Sequence, residues 1–274
     1  VRKKDGWFIQ DLAKSCGEEI ALRLSQSFNP FDRNPTLRLS QMGTRCPCAL
    51  WHSIHTPELA EPVPPWAEIK FAYGHILEVL AITLAKAAGH LVVGEQDAVY
   101  VDGITGHRDC VIDGCVVDVK SCSSRAFDKL KNKTLLQTDS FGYLDQLDGY
   151  LVGSADDPLV TCKDTGYILG IDKTLGHMVL YEHRLRETSI RRRIEESKRI
   201  VALNQPPTCE CGTRAEGKSG NISLDVRASY SAYKFCCFPH LRTFLYSSGP
   251  VYLTKVVRRP DVIEIDRLGK IVYN

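Results

Sequence analysis

An α/β (α+β) fold with a mixed central sheet flanked by helices follows from three features of the sequence. A period-two stretch from Gln96 to Lys120 is cut by Asp102-Gly103 and Asp113-Gly114, the pattern of an antiparallel meander with two-residue turns. A long helical pattern, Trp66–Ala88, precedes it, with Gly89 as a stop. Further helical patterns and a second hairpin follow. A helix, three meandering strands, a helix and more strands must bury their apolar faces against one another in layers.

The elements run as follows. Trp7–Phe28 has helical spacing at Phe8, Leu12, Ile20 and Leu24. Leu39–His55 holds a short helix around Ala49. Pro57, Pro62, Pro64 and Pro65 then form a stiff connector. Gln96–Val101, Thr105–Ile112 and Cys115–Lys120 are the meander. Ser124–Leu130 and Phe141–Val152 are helical. Tyr167–Asp172 and His177–His183 form a hairpin around Lys173–Gly176, and Ser189–Leu203 is a helix ending before Pro206-Pro207. From Thr208 the tail is irregular, with a helix expected near Tyr233–Tyr246. The expected organisation is 1–65, a helical segment and linker; 66–188, the core; and 189–274, a helical, Cys-containing segment that packs with the first into a cap.

The chain has 274 residues, 43% hydrophobic and 25% charged, which is ordinary for a globular protein. With a net charge of +2, any nucleic-acid path must come from local patches such as Arg184, Arg186, Arg191, Arg192, Arg193, Lys198 and Arg199. No stretch reaches the roughly 20 apolar residues that a membrane span needs, and no secretory signal is visible, so a cytoplasmic, non-membrane location is expected. Eleven cysteines in a chain of this size fit reduced core thiols plus some metal or cluster ligands better than a disulfide framework.

The hairpin around Asp113-Gly114 carries the chemistry. Counting outward, Ile112 faces Cys115 and Asp109 faces Asp118, with Cβ atoms about 4.5–5.5 Å apart. Lys120 shares that face, while Cys110, Ile112, Cys115, Val117 and Val119 make the core face. Two opposed carboxylates repel unless a divalent cation lies between them. Mg²⁺ or Mn²⁺ held by one or two carboxylates, beside a lysine, suits metal-assisted phosphodiester hydrolysis. No nucleophile elbow and no Walker lysine motif is present.

The sequence resembles the PD-(D/E)XK nuclease superfamily, and within it the RecB-like exonucleases of phages and the related CRISPR-associated nucleases. The residues that carry the resemblance are Glu78 in YGHILE, Asp109 in GHRD, Asp118 and Lys120 in VVDVKS, and Gln146 and Tyr150 in FGYLDQLDGY. LSQMGTRCPCALW and PHLRTFLYSSGP extend it from about Leu39 to Ile263. The resemblance implies a restriction-endonuclease-like core and a metal-dependent DNA exonuclease of phage-type replication, recombination or DNA degradation. An endonuclease of the same superfamily and an inactive DNA-binding protein are the alternatives. Asp109 and Asp118 would bind metal, Glu78 would complete the site, and Lys120 would position water and stabilise charge. Gln146 and Tyr150 would orient the site or the DNA end. His75 and His107 are candidates to support these residues from behind. DNA is the implied partner, with phage or host recombination proteins as further ones.

Relatives in this branch often hold an iron–sulfur cluster, with one Cys before the nuclease core and three after it. Cys46 matches the leading position. The trailing pattern C-S-Y-C-x-Y-K-x-x-C reads here A-S-Y-S-A-Y-K-F-C-C, so Ala228 and Ser231 stand at two ligand positions and Cys237 remains. The expectation is that the cluster is absent and packing joins the two ends. Substitution by Cys209, Cys211 or Cys236 stays open, as does a zinc site built from these cysteines.

Overall fold

The computed structural model describes residues 14–22, 24, 35–63, 65–267 and 269–273. Of the first expected helix, residues 14–22 and 24 are helical, and the rest lies outside the described residues. The chain divides into two compact units, Val1–Gly43 with Val63–Arg193, and Thr44–Pro62 with Ile194–Asn274.

The first unit is built on a mixed five-stranded sheet of order β1-β4-β5-β6-β7. Its strands are β1 (Val92–Val93), β4 (Cys110–Ile112), β5 (Cys115–Cys122), β6 (Thr165–Asp172) and β7 (Met178–Arg184). Neighbours are antiparallel except β5 and β6, which are parallel. A parallel pair needs a crossover, and the helices Ser124–Lys131, Leu135–Thr138 and Tyr143–Gly153 supply it. The sheet therefore places β5 at the centre. On one face the long helix Pro65–Ala88 buries Leu77, Ala81 and Ile82 against Val119, Ile171, Cys110 and Val117. Its Ala67–Ala88 portion is long and apolar enough, by length and composition, to cross a membrane. That corrects the expectation of no such stretch: Glu78 and the flanking charges hide the hydropathy of the segment when only unbroken apolar runs are counted.

The hairpin register is as expected, with Ile112 opposite Cys115 and Cys110 opposite Val117. The expected single strand Thr105–Ile112, however, is broken at Arg108–Asp109. β3 (Ile104–His107) pairs with β2 (Ala98–Val101) in a separate two-stranded sheet. The cause is Arg108, whose side chain is 1% exposed and is drawn to Asp97 at 3.0 Å, Asp157 at 2.6 Å and Ser154 Oγ at 3.0 Å. A guanidinium buried this deeply is tolerated only when paired, and turning it inward interrupts the strand.

A turn of 3₁₀ helix, Leu39–Gly43, lies against the start of helix Tyr143–Gly153. The two backbones meet at glycines. A Cβ on Gly142, whose φ is +73°, would stand 2.1 Å from the Gly43 Cα. This contact holds Leu39–Gly43 with the core rather than with the expected 1–65 segment. Asp139 fixes the helix entry by accepting from Gly142 N at 2.8 Å and Leu144 N at 2.9 Å, an N-terminal cap supplied from outside the helix.

Cys115 and Cys162 form a disulfide across a separation of 47 residues, which overturns the expectation of reduced core thiols at these positions. The hairpin brings them together: Thr161 N and Cys162 N both donate to Gly114 O, at 2.8 and 3.0 Å.

The second unit is less helical than expected. Five antiparallel strands run β12-β10-β11-β9-β8: β8 (Thr213–Glu216), β9 (Asn221–Leu224), β10 (Arg242–Tyr246), β11 (Gly249–Lys255) and β12 (Ile263–Ile265). The helix expected at Tyr233–Tyr246 is confined to Lys234–Cys237, because Pro239 lacks an N–H and cannot continue it. Phe244 and Leu253 are wholly buried here. Helix Pro47–His55 also belongs to this unit, and Trp51 Nε1 donates to Leu203 O at 2.8 Å.

Candidate active site

β5 carries the centre of the site. Asp118 is fully buried. Lys120, two residues on and on the same face, donates to Asp118 Oδ1 at 2.9 Å and lies 2.8 Å from Oδ2. It approaches Oδ2 off-axis, as charge rather than as donor, and that buried oxygen accepts no hydrogen bond among the described residues. Burial pushes the Asp118 carboxyl up and the Asp109 charge adds to this, while Lys120 pulls it back. Burial acts against the Lys120 charge, but Asp118 and Asp109 outweigh it and hold the ammonium well above the usual lysine range. Lys120 therefore stays charged at neutral pH.

Asp109 lies just before β4, beyond the last strand pairing with β5, and reaches β5 through its side chain. Its Oδ2 accepts from Val119 N at 2.7 Å. Fixing one oxygen on the partner strand's backbone sets the carboxylate's direction. Glu78, half-buried on the long helix, accepts from Gln96 Nε2 at 2.8 Å, and Gln96 N in turn donates to Asp109 O at 3.1 Å. Gln96 therefore ties Glu78 to the Asp109 segment. The sequence reading missed it, having taken it only as the start of a strand. Its φ of +57° is uncommon for a residue with a side chain, and no sequence pattern marked it.

Gln146 and Tyr150 lie one turn apart and are joined directly, Gln146 Nε2 donating to Tyr150 Oη at 2.6 Å. Burial raises the Tyr150 hydroxyl, which stays protonated. Its closeness to Asp118 and Lys120 is felt as charge on that hydroxyl. Tyr143, from the same helix, lies under Lys120 Nζ, 5.4 Å from ring centroid to nitrogen, a cation–π contact.

His75 is half-buried one turn before Glu78 on the long helix. His107, the other expected supporting residue, lies on β3 in the separate two-stranded sheet. It is exposed and pairs with Ala98, because the strand breaks before Asp109. The basic run is also partly spent. Arg186 is engaged by Asp145 at 2.9 Å and Asp148 at 2.6 Å, Arg191 by Glu187, Arg184 by Asp164, and Arg193 Nε donates to Met42 O.

A divalent cation fits this site on one observation in particular: a buried carboxylate oxygen, Asp118 Oδ2, that accepts no hydrogen bond among the described residues. Lys120 already supplies one positive charge there, so a cation would share Asp118 with it. The carboxylates of Glu78, Asp109 and Asp118 are not drawn into one tight set. Among the described residues, the donor atoms that gather within 4.8 Å of one another are the sulfurs of Cys46, Cys209, Cys211 and Cys237. Cys236 is outside that set, Ala228 is buried in an apolar cluster with Leu224 and Leu241, and the Ser231 hydroxyl accepts from Tyr233 N.

No family model and no curated protein matches the chain. Two solved structures are similar to it in backbone trace. One is SSO0001, with 17% identity and a TM-score of 0.43 over 81% of this chain and 95% of that one. The other is an alkaline exonuclease, LHK-Exo, from Laribacter hongkongensis, with 12% identity and a TM-score of 0.42 over 62% of this chain and 88% of that one. At such distances the side chains above, not the neighbours, bear on chemistry.

Proposed function

We propose that this protein is a Mg²⁺- or Mn²⁺-dependent deoxyribonuclease that hydrolyses phosphodiester bonds at DNA ends, in replication, recombination or DNA degradation of the phage type. The observation that carries the reading is the buried Asp118–Lys120 pair on the central strand, with Asp109 anchored on the neighbouring Val119 N. Asp118 and Asp109 would hold the cation, with Glu78 tuning the site from its helix. Bound there, a divalent ion supplies positive charge at the scissile phosphate and acidifies water. Lys120 keeps its proton beside Asp118 and stabilises the charge that builds on the phosphate oxygens as water attacks in line. Gln146 holds the Tyr150 hydroxyl as a fixed donor for the DNA end. Val119 N holds Asp109 in place through the reaction.

Cleavage of end-labelled linear and covalently closed circular DNA tests this. Loss of linear DNA alone with Mg²⁺ or Mn²⁺, abolished by EDTA and by Asp118→Ala or Lys120→Ala, is expected. Cutting of the closed circle would reassign the protein as an endonuclease. DNA binding with no cleavage under any metal condition would replace the catalytic reading by a binding one.

A further inference from the structure

We infer that Cys46, Cys209, Cys211 and Cys237 bind one Zn²⁺ ion as a structural tetrathiolate site, in place of the iron–sulfur cluster that the sequence resemblance implies. The inference stands apart from the nuclease reading.

The four sulfurs lie within 4.8 Å of one another, with Cys46 Sγ 3.7 Å from Cys237 Sγ and 3.9 Å from Cys209 Sγ. Four thiolates at about 2.3 Å around one tetrahedral zinc stand about 3.8 Å apart. The observed spacing is that of ligands on one ion. A cluster distributes its four thiolates over two or more irons with sulfide between them and must hold them further apart. The ligand set also differs from the one the resemblance implies. Ala228 and Ser231 have no thiol to offer, and Cys209 and Cys211 take the two places.

The surroundings suit thiolate. Cys46 is the N-cap of helix Pro47–His55, where the helix's free N–H groups favour negative charge. Cys211 N donates to Cys209 Sγ at 3.4 Å, an outer contact of the kind that orients a metal-bound sulfur. Cys48, Ala49 and Tyr233 pack against the four, of which Cys46 is buried and the other three are partly exposed. The ligands come from three chain segments of one unit, up to 191 residues apart. One ion would staple segments that otherwise meet through a small core.

The test is metal analysis of the full-length protein, purified anaerobically in a thiol-free reductant, with titration of the metal-stripped protein by Zn²⁺ and Co²⁺. About one zinc per chain, no iron or acid-labile sulfide, and the visible spectrum of tetrahedral thiolate-bound Co²⁺ are expected. Cys46→Ser and Cys237→Ser should each lower bound zinc at least about fivefold, while Cys48→Ser, a neighbour outside the set, leaves it unchanged. Where a ligand variant is insoluble, release of zinc from the wild-type protein by a mercurial, read with a chromogenic chelator, gives the same answer. Iron, with or without sulfide, in place of zinc would overturn the inference. So would a protein that takes up neither ion, or a Cys48→Ser variant that loses zinc as the ligand variants do.

Discussion

Replacing Lys120 by methionine should destabilise the metal-free protein by about 3–5 kcal/mol, the usual cost of leaving one member of a buried ion pair unpaired. The structure bounds the figure. Asp118 is fully buried, and Lys120 is the cation on its carboxylate, at 2.9 and 2.8 Å. Without Lys120 the carboxyl can escape burial of a bare charge by taking a proton. The sign follows. A carboxyl whose folded value is raised destabilises the fold increasingly as pH rises toward that value. The deficit of Lys120→Met should therefore widen by about 2 kcal/mol between about pH 7 and about pH 8.5. Denaturant unfolding in EDTA at the two pH values measures it. Asp118→Asn combined with Lys120→Met removes the charge and should recover most of the loss. Saturating Mn²⁺ should stabilise the single variant by about 3 kcal/mol at a hundredfold excess over its dissociation constant, because the cation takes over the neutralising role. A loss below about 1 kcal/mol that does not change with pH would refute the reasoning, since it would mean that Asp118 is solvated.

Three further outcomes are expected. Gly142→Ala should cost about 2–4 kcal/mol, from a left-handed φ of +73° and a Cβ 2.1 Å from the Gly43 Cα. Gly103→Ala, with φ +81° but open space, should cost only about 1–2 kcal/mol; equal thermal shifts for the two would remove the packing argument. Cys162→Ser opens a crosslink with a separation of 47 residues and should lower stability by up to about 4 kcal/mol, and treating the wild-type protein with a reductant should reproduce the loss in unfolding curves. Glu264 accepts from Arg242 at 2.7 and 2.6 Å, and Arg242, then Arg259, hold its carboxyl below the usual range. Its contribution is present above a reference of about 4.5 and is lost as pH falls through the lower folded value. Glu264→Gln should therefore cost about 1–2 kcal/mol at pH 7, a cost that shrinks as pH falls below about 4.5, by thermal melts across that interval.

Local sequence determined the elements whose signals are local. Asp113-Gly114 set the turn, and with it the pairing of Ile112 with Cys115 and of Cys110 with Val117. The period of Trp66–Ala88 marked the long helix, and the four-residue spacing of Gln146 and Tyr150 is that of neighbours on one helix face, which the structure joins by a hydrogen bond. What the sequence left undecided depends on partners distant in the chain. The break at Arg108 requires Asp97, Asp157 and Ser154 to converge on one guanidinium. The Cys115–Cys162 bond requires a loop to fold back onto the hairpin. Gln96 acquires its role only when a backbone N–H and a side-chain amide reach two different segments at once. The C-terminal strands were hidden because their alternation is short and interrupted, although Gly217 and Gly220, both at positive φ, bracketed the turn between β8 and β9. The four cysteines show the division most clearly. Sequence supplied thiols at 46, 209, 211 and 237, and only the tertiary structure decided which of the cysteines come within reach of one ion, because coordination depends on distances that no spacing along the chain fixes.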